Sequence, residues 1–97
     1  MSRVKLSEDE LASRLERVPG WGREEGKWLV RSYRFPSFPE AVAFVDRVAS
    51  VAEAFNHHPF IVIDYTLVKL RLTTWRAEGL TELDFETARR FDEVAEG

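Results

Sequence analysis

Apolar and polar positions recur with two different periods along these 97 residues, and the switches between periods divide the chain into elements. Leu11, Leu15 and Val18 follow a helical spacing. Ahead of them, Ser7-Glu8-Asp9-Glu10 forms a capping box in which the Ser7 hydroxyl and the Glu10 carboxylate satisfy free amides of the first turn. Leu6 and Leu11 are placed as its hydrophobic staple, and Pro19-Gly20 ends the helix. Trp21 to Glu24 and Lys27 to Phe35 predict two strands joined at Glu25-Gly26, a pair suited to a tight hairpin. In the second strand Leu29, Arg31, Tyr33 and Phe35 share one face, and Trp28, Val30, Ser32 and Arg34 the other. Both faces mix apolar and polar groups, so the pattern does not say which is inward.

A second and longer helix opens at Ser37-Phe38-Pro39-Glu40, again capped by serine, with proline in the first turn where its missing amide costs nothing. Ala41, Val45, Val48, Ala52 and Phe55 make one apolar stripe, and Phe44, Val48, Val51 and Phe55 make a second row. A helix on a sheet needs one stripe. The extra row predicts that the outer side packs against the same helix of another subunit, giving a homodimer or homotetramer; deep seating in the chain's own core is the plainer account.

Phe60 to Tyr65 and Leu67 to Trp75 predict strands three and four, the latter half-buried because Lys69 and Arg71 alternate with Leu70 and Leu72. No glycine marks a turn at Asp64-Tyr65-Thr66-Leu67. Ala77-Glu78-Gly79 breaks the strand, and Thr81-Glu82-Leu83-Asp84 caps a third helix with Leu80 and Phe85 as its staple. Phe85, Ala88, Phe91 and Ala95 are expected to face inward, and Arg89, Arg90, Asp92 and Glu93 to face water. The sum is α-ββ-α-ββ-α, an α+β two-layer sandwich of a four-stranded antiparallel sheet with three helices on one face.

Composition narrows the functional classes. The chain is 44% hydrophobic and 32% charged, as in an ordinary globular protein, and its length predicts one domain over residues 1–97. A net charge of −3 counts against broad binding to nucleic acid or to an anionic membrane. Cysteine is absent from the sequence, which removes disulfides, zinc fingers and thiol nucleophiles. No apolar core follows Met1-Ser2-Arg3-Val4-Lys5 and no run approaches membrane-spanning length, so a cytoplasmic protein is expected.

Candidate chemistry sits at one corner. The two histidines of the sequence are His57 and His58, followed by Pro59, where the long helical pattern gives way to a strand pattern. Imidazole exchanges protons near neutral pH without retuning. A helix-end role, with cationic imidazole complementing the macrodipole, is the plain alternative. Wider spacing changes the balance. Glu53, three residues, His57-His58-Pro59, five residues, Tyr65, nine residues, Trp75, eight residues and Asp84 resemble the signature of the pterin-4a-carbinolamine dehydratases. These are pterin-recycling enzymes also known as dimerisation cofactors of a homeodomain transcription factor. The resemblance continues through Ala77 to Asp84 and includes Gly20-Trp21 and the aromatic stretch Phe35 to Phe38. One position departs: many members carry a third histidine where this chain has Trp75.

The resemblance implies dehydration of a 4a-hydroxytetrahydropterin to the quinonoid dihydropterin, with no metal and no cofactor. It also implies a hairpin at 64–67 and a tetramer built on the second helix. His57 corresponds to a general acid/base, and His58 to a group that holds the substrate near its hydroxyl-bearing carbon and shares proton transfer. Trp75 has one N–H donor and no acceptor, so it can stack on a pterin or donate one bond but not act as a base; a core aromatic at a strand end is its structural reading. Glu53, one turn before His57, is placed either to orient that ring or to stand as a surface charge. Capping with Thr81 already accounts for Asp84. Tyr65 suits a pocket wall or the sheet, and Pro59 fixes the corner. The substrate expected is a pterin, in a pathway serving an aromatic amino-acid hydroxylase. A protein-interaction module, an inactive family member and an RNA-binding sandwich are the alternatives, the last disfavoured by charge.

Overall fold

Each helix begins where a side chain can take up the free amides of its first turn. A computed structural model describes residues 3–96; Met1, Ser2 and Gly97, included in the single-domain reading, lie outside the described residues. Helix α1 (Glu8–Leu15) carries the complete Ser7–Glu10 capping box, and α2 (Phe38–Phe55) is capped by Ser37, whose hydroxyl accepts from the Glu40 amide at 3.3 Å. Helix α3 (Glu82–Ala95) starts after Thr81, whose N–H donates to Asp84 Oδ2 at 2.9 Å.

Four strands lie between them: β1 (Gly22–Glu24), β2 (Trp28–Arg34), β3 (Phe60–Asp64) and β4 (Leu67–Leu72). They form one antiparallel sheet in the order β1-β2-β4-β3. The first hairpin turns at Glu25 and Gly26 with φ of 54° and 75°, the positive pair whose twist suits a tight connection. At the second, Tyr65 takes φ of 53° without a glycine's freedom, which is why no turn signal was visible there.

Register resolves the ambiguity of β2. Leu29, Arg31 and Tyr33 pair with Leu72, Leu70 and Val68, and these residues face the helices. Leu11 of α1, Phe44, Val48 and Val51 of α2, and Phe85, Ala88 and Phe91 of α3 close over them in a single core. All three helices therefore cover one face. The opposite face carries Lys69 and Arg71, ion-paired to Glu24, with the Arg71 guanidinium 4.2 Å above the Trp28 ring.

Three expectations need correction. Phe44 and Val51 of the second apolar row of α2 point into this chain's own core, the first fully buried and the second nearly so, and are not surplus outer positions. Strand β4 stops at Leu72 instead of Trp75, and Trp75–Ala77 form a 3₁₀ turn. Asp92, assigned to the wet side of α3, turns inward. Its Oδ1 accepts from Trp21 Nε1 and Arg31 Nη1, each at 2.9 Å, and from the Tyr33 hydroxyl. Gly20 makes this possible, because a Cβ there would lie 2.3 Å from Arg31 Nη1. Burial first, then the Asp92 carboxylate, hold the Tyr33 hydroxyl well above the ordinary phenol range.

Asp92 thus ties α3 to the sheet and to the segment before it. Asp92→Ala leaves three donors without their acceptor and is expected to cost about 2–3 kcal/mol. Arg89→Ala, on the exposed side of the same helix, is expected to cost less than about 0.5 kcal/mol. Urea unfolding checks both; equal midpoints for the two variants would remove the structural role given to Asp92.

Candidate active site

The C-terminal end of α2 sets the position of both histidines. Asn56 follows the helix in the left-handed conformation (φ 50°, ψ 45°), which its short polar side chain tolerates better than most. The His57 N–H then folds back onto the Ala52 carbonyl at 3.0 Å. That reversal sends successive side chains in different directions before Pro59 leads into β3. His57 turns under the helix and is 7% exposed, while His58 points outward.

Beneath the helix, His57 meets Asp84. Nε2 lies 2.6 Å from Asp84 Oδ1, and the carboxylate is completely buried. Asp84 Oδ2 accepts from the Thr81 N–H at 2.9 Å and from the Thr74 hydroxyl at 2.7 Å. The Thr74 hydrogen is used there, so the Thr81 hydroxyl donates to Thr74 at 2.9 Å. Asp84 also occupies the first turn of α3, where the helix dipole favours a negative charge. The structure therefore gives Asp84 both roles that the sequence treated as rivals. It caps α3 and braces His57.

A carboxylate only accepts, so the hydrogen between His57 and Asp84 belongs to Nε2, and Nδ1 keeps the lone pair of the neutral ring. His58 repeats the arrangement in solvent, with Nε2 2.6 Å from Glu53 Oε2. Glu53 is thus the partner of His58, not of His57 as its spacing suggested; one helical turn beyond Glu53 the chain has already left the helix. Neither Nδ1 has a hydrogen-bond partner among the described residues.

Both histidines line a cleft of about 290 Å³, with Asn56, Thr73, Thr74, Trp75, Arg3 and Arg76. A second hollow of about 220 Å³ adjoins it across His58, Thr73 and Trp75, and is walled by Trp28, Pro59 and Phe60. Trp75 is 65% exposed, so it is a surface aromatic and not a strand-end core residue. It stands nearly perpendicular to Trp28, with ring centroids 5.2 Å apart, and Trp28 meets Phe60 edge-on at 5.6 Å. The cleft therefore has an imidazole side and an aromatic side.

Of the residues predicted for a site, His57, His58, Trp75 and Pro59 come together around this cleft, and Asp84 and Glu53 stand directly behind the two rings. Tyr65 does not join them. It lies at the opposite end of β3, 73% exposed in the turn. Sequence reasoning missed Thr73 and Thr74, whose signal was only their position at the close of β4 before Trp75. It also missed Arg3 and Arg76, which lie in segments without periodicity. No helix among the described residues is long and apolar enough to cross a membrane.

Comparison with known proteins bears on the family and the fold. The family model described as pterin 4 alpha carbinolamine dehydratase matches residues 4–94. A protein of Thermomicrobium roseum, provisionally named a pterin-4-alpha-carbinolamine dehydratase, is 50% identical over 92 residues, covering 95% of this chain and 98% of its own. One of Chloroflexus aggregans with the same provisional name is 47% identical over 91 residues, covering 94% and 97%. Among solved structures, a transcriptional coactivator/pterin dehydratase from Brucella melitensis superposes with a TM-score of 0.89 at 34% identity, over 94% of this chain and 98% of that one. A pterin dehydratase-like protein identified as a RuBisCO assembly factor in the alpha-carboxysome gives a TM-score of 0.69 at 27% identity, over 78% and 89%. With a match over nearly its full length, this chain belongs to the pterin 4 alpha carbinolamine dehydratase family.

Proposed function

We propose that the protein dehydrates a 4a-hydroxytetrahydropterin, using His57 and His58 as its catalytic residues, in the recycling of a tetrahydropterin. The observation that carries this reading is the pair of imidazoles on one cleft, each with Nε2 held by a carboxylate and Nδ1 left over. Dehydration breaks the bond between carbon 4a and its hydroxyl oxygen, and a double bond forms between carbon 4a and ring nitrogen 5. One proton must reach the departing oxygen to make water, and one must leave nitrogen 5. Two groups that alternate between donor and acceptor near neutral pH meet both needs.

The two rings differ in setting. His57 is shielded from water and held on Asp84, which is itself fixed by Thr74 and Thr81. Its orientation is settled before substrate arrives, which lowers the cost of reaching a reactive geometry. His58 is open to solvent, so protons taken up or released at the site can pass between it and water. Trp75 offers a flat surface at the cleft wall, supported from behind by Trp28. It supplies stacking and no proton traffic, so the departure from a third histidine leaves both transfers to His57, His58 and water.

Stopped-flow absorbance of 4a-hydroxytetrahydropterin decay tests the reading. The wild-type protein is expected to accelerate decay, and His57→Ala and His58→Ala are each expected to lose roughly 10²–10⁴-fold in kcat. A folded wild type that leaves the spontaneous rate unchanged would refute the assignment.

Asp84 is a positioning residue in this scheme. Asp84→Asn keeps an oxygen for Thr81 and Thr74 but turns an amide N–H toward His57 Nε2. The ring must then accept at Nε2 and carry its hydrogen on Nδ1, the reverse of the wild-type arrangement. A fall in kcat of about 10–100-fold is expected, with KM changed less than about twofold because Asp84 does not reach the cleft surface. A loss of stability in urea unfolding with kcat unchanged would limit Asp84 to capping.

A further inference from the structure

The cleft holds positive charge that the dehydration itself does not use. Arg14 and Arg17 face Glu82, Arg23 faces Glu8, Arg31 faces Asp92 and Arg71 faces Glu24. Arg89 and Arg90 pair along α3 with Glu86 and Glu93, Arg34 reaches the Thr66 hydroxyl, and Arg47 donates to the Val94 carbonyl. Arg3 and Arg76 alone among the arginines have no such partner among the described residues, and both line the histidine cleft.

Their placement is built by two separate segments. The Leu6 N–H donates to the Leu80 carbonyl at 2.9 Å, which lays the N-terminal segment beside the residues leading into α3. Arg3 thereby reaches the cleft and also contacts the adjoining hollow formed by Ala54, Phe55 and Leu83. Arg76 arrives from the 3₁₀ turn directly after Trp75, a turn closed by the Ala77 N–H on the Thr74 carbonyl at 3.0 Å. Carboxylates near the cleft are already engaged: Asp84 with His57, Thr74 and Thr81, and Glu53 with His58. Two arginines thus line one concavity of a protein whose net charge is −3, and neither is ion-paired among the described residues.

We propose that Arg3 and Arg76 form an anion subsite, and that the preferred substrate is a pterin whose side chain carries a phosphate or carboxylate group. This rests on the pterin reading of the same cleft. Guanidinium forks match the oxygens of these anions and bind them by paired, charge-assisted hydrogen bonds. With the ring beside Trp75 and its reactive carbon between the imidazoles, a side chain extending along the cleft meets the two arginines. Arg3 and Arg76 determine specificity; the proton transfers belong to the histidines.

The test separates binding from turnover. The probes are pterin bearing a hydroxymethyl group at ring carbon 6 and the phosphate monoester of the same compound, each titrated while protein tryptophan fluorescence is followed. Wild type is expected to bind the ester at least about tenfold more tightly than the alcohol. That corresponds to about 1.4 kcal/mol, and the preference is expected to shrink as salt rises. In the double variant Arg3→Gln/Arg76→Gln the preference is expected to fall to within about twofold of unity. A carboxymethyl pterin distinguishes a general anion subsite, which binds both anions, from a phosphate-selective one. Equal affinity of wild type for ester and alcohol, or a preference that survives the double variant, overturns the proposal. Turnover of 4a-hydroxytetrahydropterins is scored separately: acceleration without anion preference leaves the dehydratase reading and removes the subsite. Anion preference without acceleration leaves a pterin-binding subsite and removes the catalysis.

Discussion

One fully buried carboxylate holds the site together. Asp84 has no water to solvate it, so its charge must be met entirely by the protein. The donors that meet it come from three places: the N-terminus of α3 through the Thr81 N–H, the end of β4 through Thr74, and the end of α2 through His57. Moving any of these elements would strand the charge. The fold therefore cannot relax at this point without a penalty, and the orientation of His57 follows from that demand. A residue that looks like a helix cap in sequence is also what makes an imidazole rigid.

Asp92 shows the same logic on the other side of α3. It too gathers donors from several elements, Trp21, Arg31 and Tyr33, but it lies away from the histidine cleft, and these partners are consumed within the scaffold. The difference between the two aspartates is what their partners have left over. His57 retains a second ring nitrogen after bonding Asp84, whereas the Tyr33 hydroxyl has given its one hydrogen to Asp92. The first arrangement can still exchange a proton with another molecule; the second ties helix to sheet. Burial and hydrogen bonding alone do not separate the two cases. The remaining chemical capacity does.

Most of the architecture was legible because local signals and the fold agree. Serine and threonine caps stand at the helix starts, Glu25-Gly26 marks the first hairpin, and alternation marks β4. The failures share a cause, which is that a single sequence shows periodicity but not what lies opposite. Asp92 sits at helical spacing from Phe85 and Ala88 and so belongs to the inward side, yet its charge suggested water. Phe44 and Val51 looked surplus because the depth at which α2 is buried depends on the sheet and α3 beneath it. At the site, the His57-His58 pair and Trp75 were visible as types at fixed gaps. The partners were not: a helical turn was assumed between Glu53 and His57, but the left-handed Asn56 breaks the helix and gives Glu53 to His58.

That break also explains why two adjacent histidines do not duplicate each other. Had α2 continued through residue 58, both rings would have pointed from one helix surface, about 100° apart, with similar access to water. Ending the helix at Phe55 sends one ring into a buried network and leaves the other in solvent. The acid/base role proposed for the pair needs groups that present to one substrate but need not respond identically to their surroundings, and a corner supplies that where a helix face would not. Pro59 then biases the preceding His58 away from the helical region and leads into β3, whose first residue, Phe60, backs the aromatic side of the same cleft through Trp28. The sequence His57-His58-Pro59-Phe60 is in this sense one device. Set directly after the left-handed Asn56 that ends the helix, it divides two imidazoles between protein and water and delivers the aromatic wall that faces them.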